Sequence, residues 1–175
     1  MLRLSIALSA VLLVAGCSDA PPEDDGPSRE AVEQGLAELY AGDHATPDDV
    51  ESGACFAAEL VDRAGVDRLR EAGIVTESGE VAAEPPTFDD ETAALWVDAQ
   101  FACVDWVEES TRALTAQTKG DLDPEAYAAC LRGALEEDQI RAAVEATLTG
   151  DWEAPAVEAL SDAQGRCTTE ALPAE

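Results

Sequence analysis

Three times along the chain a Gly-Asp pair closes one helix-patterned stretch and a proline opens the next. The three are Gly42-Asp43-His44-Ala45-Thr46-Pro47, Gly120-Asp121-Leu122-Asp123-Pro124 and Gly150-Asp151-Trp152-Glu153-Ala154-Pro155. A cysteine follows each of them, at Cys55, Cys130 and Cys167. Glycine just past a helix end adopts the left-handed cap that a β-carbon resists. Proline fits the first turn of the next helix, where its missing N–H costs nothing. Thr46 and Asp123 stand directly before a proline and offer a side-chain oxygen to the orphan N–H groups of that turn. Thr46 and Asp49 also have capping-box spacing, with Asp in place of the usual Glu. The repeat therefore predicts helix–turn–helix units. A second echo sets Asp98-Ala99-Gln100-Phe101-Ala102-Cys103 beside Asp162-Ala163-Gln164-Gly165-Arg166-Cys167.

Composition agrees with this punctuation. The chain is rich in alanine and only 5% aromatic, a balance that favours helix over sheet. Helices are expected over 29–41 (with Val32, Leu36, Leu39 and Tyr40 on one face), 47–62 (Val50, Phe56, Leu60, Val61) and 66–72. Residues 74–88, with Pro85 and Pro86, read as a loop. Further helices are expected over 89–104 (Leu95, Trp96, Val97), 106–118 behind an Asp105 cap, 124–135, 139–149 and 155–167. No convincing period-2 strand is present. The repeat is degenerate and its cysteines are unevenly spaced. The expected fold is thus all-α: a compact array of helical hairpins, one domain over 29–170 with a tail at 171–175.

A different cysteine closes the opening segment. Met1-Leu2-Arg3 leads into an apolar run from Leu4 to Val14, too short for the roughly 20 residues of a membrane-spanning helix. Small residues follow and then Cys17, the pattern of a secretory signal. Val14-Ala15-Gly16-Cys17 resembles the lipobox of bacterial lipoproteins. The resemblance implies a signal peptide over 1–16, cleavage before Cys17, a diacylglyceryl group on the Cys17 thiol and an acylated new N-terminus. Residues 17–28 then read as a tether, because three prolines, Gly26 and four acids cannot bury enough surface to order themselves. The rest of the chain is similar to small, acidic, alanine-rich lipoproteins of high-GC Gram-positive bacteria, in which units like 54–73 place cysteine ahead of a helix. That similarity implies an extracytoplasmic, lipid-anchored location at the cell membrane and assigns no activity.

With Cys17 taken by lipid, Cys55, Cys103, Cys130 and Cys167 remain, an even number in an exported domain, and two disulfides follow. Three pairings are open. Cys55–Cys103 with Cys130–Cys167 is preferred because each bond then staples neighbouring helical units. Zinc is the rival, but C-x₂-C spacing is absent and no histidine lies near.

Charge narrows the partners. Against 38 acids stand 10 lysines and arginines, for a formal −28. Loss of residues 1–16 removes Arg3 and no acid, which makes it −29. No basic cluster exists, so nucleic acid is excluded as a partner, and an anionic membrane repels the domain; lipid alone holds it there. Acidic turns such as Gly120-Asp121-Leu122-Asp123-Pro124-Glu125 raise the question of cation binding. An EF-hand counted from Asp121 needs glycine sixth and an acid twelfth, where Ala126 and Arg132 stand. Capping is the expected role, with weak cation binding as its rival.

Catalytic signatures are missing. There is no G-x-S-x-G, Walker loop, G-x-G-x-x-G or H-E-x-x-H, and no cofactor is expected. His44, the one histidine, reads as an exposed turn residue. Trp152, alone among the tryptophans in a turn, is the candidate exposed aromatic. The expected function is a surface-tethered interaction module for an envelope protein or wall polymer. The alternative is a cell-wall glycan hydrolase that uses a carboxylate pair.

Overall fold

The computed structural model describes residues 28–43 and 45–173. The expected signal peptide, Cys17, nearly all of the expected tether, His44 and the last two residues of the tail lie outside them. Among the described residues seven helices follow in order: α1 (Arg29–Ala41), α2 (Pro47–Glu71), α3 (Asp90–Cys103), α4 (Trp106–Gln117), α5 (Pro124–Ala134), α6 (Glu137–Leu148) and α7 (Pro155–Ala171). Among the described residues the only β pairing is one isolated antiparallel bridge, Val75 to Val81. The all-α expectation holds, with sequential hairpins α1–α2, α2–α3, α4–α5 and α6–α7.

The punctuation works largely as its chemistry dictates. Gly42, Gly120 and Gly150 all have positive φ, at 74°, 88° and 78°. Thr46 accepts from the Asp49 N–H at 3.3 Å while the Thr46 N–H donates to Asp49 Oδ2 at 2.8 Å, closing the capping box. Asp123 accepts from the N–H groups of Glu125 and Ala126, each at 3.1 Å. The third turn differs: Ala154 precedes Pro155, and α7 begins with no side-chain cap.

Two apolar clusters fill the interior. The first gathers Val32 and Leu36 of α1, Phe56, Leu60 and Leu69 of α2, and Ala93 and Ala99 of α3. At its centre the Phe56 ring lies 4.5 Å from Tyr40 and 4.7 Å from Trp96. The second gathers Val107, Tyr127, Leu131, Ile140, Ala163, Cys167 and Ala171 from α4 to α7. Each disulfide lies within one half: Cys55–Cys103 ties α2 to α3 and Cys130–Cys167 ties α5 to α7, with Cα separations of 5.7 and 5.5 Å.

Other contacts join the halves. α3 packs on α6, and the Phe88 N–H donates to the Leu148 carbonyl at 3.0 Å. Arg141 of α6 reaches Asp98 of α3 at 2.8 Å and lies 4.5 Å over the Phe101 ring. Arg112 of α4 reaches Asp49 of α2 at 2.8 Å.

Four details depart from expectation. The helices expected over 47–62 and 66–72 form one element, α2, with a kink at Gly65. Val50, expected on a buried face, is exposed, because close α1–α2 packing starts a turn later. There, a β-carbon on Gly53 would sit 2.6 Å from the Ala37 carbonyl oxygen. The 74–88 segment is a loop that contributes to the core: Ile74, Val75 and Phe88 are buried in the first cluster. Finally, α7 continues past 167 to Ala171, whose carbonyl accepts from the Asp123 N–H at 2.9 Å. A contact between α7 and the start of α5 accompanies that extension, and Pro173, which drives Leu172 out of the helical region, stops the helix there.

Two outcomes follow. Non-reducing peptide mapping should link Cys55 to Cys103 and Cys130 to Cys167, and removing either bond by paired Cys→Ala substitution should cost about 4 kcal/mol in urea unfolding through loop-closure entropy. Gly53→Ala should destabilise by about 1–3 kcal/mol, since the overpacked atom faces backbone and not a yielding side chain.

Candidate functional site

Two grooves in the α4–α7 half hold most of the chemistry. The first lies where two helix breaks face each other. α3 ends at Cys103, Val104 is extended (φ −137°, ψ 145°), and Asp105 caps α4. Opposite, α5 ends at Ala134, Leu135 is extended (φ −139°, ψ 141°), and Glu136 precedes α6. Between them is a groove of about 580 Å³ with Phe101, Trp106 and Ile140 in its walls and Asp105, Arg132, Glu136 and Glu137 at its edge.

The carboxylates of this groove hold structure. Asp105 Oδ1 accepts from the Val107 and Glu108 N–H groups at 2.9 and 3.1 Å, and Oδ2 accepts from Arg132 at 2.9 Å. Partial burial pushes the Asp105 carboxyl up, but the Glu108 N–H, the Arg132 guanidinium and the Val107 N–H outweigh it and leave it below the usual range. Glu137 is paired with Arg141 at 3.0 Å. Asp49 and Asp89 are lowered in the same way, first by backbone N–H donors from Thr46 and Thr92 and then by those residues' hydroxyls. A glycoside hydrolase needs one carboxyl raised so that it carries a proton; Asp49, Asp89 and Asp105 are all displaced the other way.

The second groove runs between α4 and α5, about 940 Å³ and open to solvent. Thr111, Thr115, Ala116, Ala128 and Ala129 form its surface. Both threonine hydroxyls are turned onto their own helix: Thr111 Oγ1 donates to the Val107 carbonyl at 2.6 Å and Thr115 Oγ1 to the Thr111 carbonyl at 2.8 Å. Methyl groups therefore dominate what the groove presents. Arg112, Lys119 and Arg132 stand along its rim with Glu108 and Glu125. Sequence reading passed over this cluster. Its signal was the spacing of Arg112 and Lys119, two turns apart, with Arg132 brought back to the start of α4 by the hairpin.

Other candidate residues are scattered. Trp152 is 67% exposed in the third Gly-Asp turn. The Asp123 carboxylate is engaged in capping α5. Among the described residues no group of three or more metal-ligating side chains comes together, and no polar side-chain atom is buried without a partner. No protein-family model matches the chain, and no curated protein or solved structure matches it either.

Asp105 has two separable roles. Asp105→Ala should cost about 1 kcal/mol through the lost cap, while Asp105→Asn keeps a capping oxygen and loses the charge pair. Because folding lowers this carboxyl, its charge contributes stability above the unfolded value of about 4 and loses it as pH falls through the folded value. The Asn variant should therefore trail wild type in urea midpoint at pH 7, and the gap should narrow as pH falls below about 4.

Proposed function

We propose that this chain is a lipoprotein of the cell envelope, anchored through Cys17 on the extracytoplasmic face, whose helical region is an interaction module for an envelope protein or wall polymer. The observation that carries the reading is Val14-Ala15-Gly16-Cys17 at the end of a short apolar run, followed by a proline-rich acidic stretch. Two acyl chains with about 0.8 kcal/mol per buried methylene hold a protein stably on a bilayer. Among the described residues no helix is long and apolar enough to cross a membrane. Two disulfides accord with an oxidising compartment. The open grooves around α4 and α5 supply contact surface, while the carboxylates Asp49, Asp89 and Asp105 serve as caps and ion-pair partners.

Replacing Cys17 with Ala tests the anchor. Wild type should fractionate with membranes and carry an acyl mass on the peptide that begins at residue 17, and the variant should lose both. Membrane association that persists in the variant, with no acyl mass on wild type, would reject the reading.

A further inference from the structure

We propose that the Cys55–Cys103 bond is a reversible redox switch at the crossing between the two halves, opened by a C-x-x-C dithiol reductant, while Cys130–Cys167 is a permanent staple. The two bonds differ in what surrounds them. Cys167 is 0% exposed and Cys130 is half-buried, and both belong to the second apolar cluster. Attack on Cys167 requires that cluster to open. Cys55 is exposed on α2, and Cys103 is half-buried in the wall of the junction groove. Neither belongs to the first cluster. Exposed disulfides are the labile and regulatory ones, because exchange needs a thiolate to reach one of the sulfurs. The exchange runs as two displacements. The reductant's thiolate attacks Cys55 Sγ, the S–S bond breaks, and Cys103 leaves as a thiolate that takes a proton. The second reductant thiol gives up its proton and attacks its partner's sulfur in the mixed disulfide. Cys55 then leaves and is protonated. Two electrons and two protons pass to the protein, and the reductant ends as its own disulfide.

The place of the bond gives its opening a consequence. Ala99 is the last α3 residue of the first cluster, and Phe101 already packs on the second. Cys103 then ends α3, and Val104 and Asp105 carry the chain into α4. The bond therefore pins this crossing to α2. The pairing of α2 with α3 has other supports. The Phe56 and Trp96 rings lie 4.7 Å apart, and Arg68 of α2 reaches Asp89 at the start of α3 at 3.1 Å. A disulfide acts mainly by constraining the unfolded chain, so its loss leaves those contacts in place. Reduction accordingly releases residues 103–105 from α2 by a local opening, while the helices persist. Phe101, Cys103 and Trp106 all line the junction groove, so the released stretch is one wall of that groove.

The test uses the full chain with Cys17→Ser, which leaves only the four paired cysteines. It is treated under native conditions with dithiothreitol and, separately, with excess reduced thioredoxin. Thiols released over time are trapped with iodoacetamide and mapped by mass spectrometry. Cys55 and Cys103 should appear together, at a rate proportional to reductant and at least about tenfold faster than Cys130 and Cys167. This two-thiol form should keep its helical circular dichroism, and oxidised glutathione should restore the bond. Amide hydrogen exchange over 100–107 should rise by about tenfold. Cys55→Ser with Cys103→Ser should reproduce that exchange pattern without any reductant. Opening of both bonds together at a rate independent of reductant, which marks global unfolding, would overturn the proposal. So would earlier opening of Cys130–Cys167, or failure of thioredoxin where dithiothreitol succeeds. Loss of helix in the two-thiol form or in the double variant would make the bond a staple like the other, and unchanged exchange over 100–107 would remove the switch. The assay is done in solution without Cys17, so its outcome is separate from that of the anchor test.

Discussion

Short helices are the constraint on which the rest of this structure depends. Apart from kinked α2, the helices run from 11 to 17 residues, near or below the length at which an isolated helix is marginal in water. Each must therefore be ended cleanly and docked. Thr46, Asp89, Asp105 and Asp123 supply the starts. Docking is divided between two clusters, each with its own disulfide. The covalent staples thus strengthen each half, and the union of the halves rests on α3 against α6, the Phe88–Leu148 hydrogen bond and the two arginine bridges.

Those arginines show how a strongly acidic chain uses few cations. Arg68 joins α2 to Asp89 and Glu91 at the start of α3, Arg112 joins α4 to α2, Arg132 joins α5 to the start of α4, and Arg141 joins α6 to α3. Exposed pairs of this kind contribute about 0–1 kcal/mol each, so their main effect is to set which helix ends meet. Asp89 and Asp105 do double service, capping a helix and receiving an arginine from another. The same placement brings Arg112 and Arg132 to the α4–α5 groove with each already matched by two acids.

Much of the fold was legible because its signals are local. A glycine past a helix end, a proline in the next first turn and an acid or threonine between them act over five or six residues. The helix boundaries they mark lie within a few residues of the observed ones, and the uncapped third turn is visible in Ala154. The grooves were not legible in this way. The α4–α5 groove depends on Thr111 and Thr115 turning their hydroxyls inward and on Arg132 returning beside Glu108. The junction groove depends on two separate helix breaks facing each other.

By itself the sequence determined the helical class, the turn positions, four cysteines after Cys17 suited to two bonds and the strongly acidic balance. These follow from backbone conformational preference and from charge count, which need no knowledge of distant contacts. Only the tertiary structure decided that Gly53 sits against the Ala37 carbonyl, that Ile74 and Val75 plug a core and that Val50 is left in solvent. Each of those turns on which surfaces meet across the chain, and the energy of such a meeting belongs to both partners and cannot be read from either stretch alone.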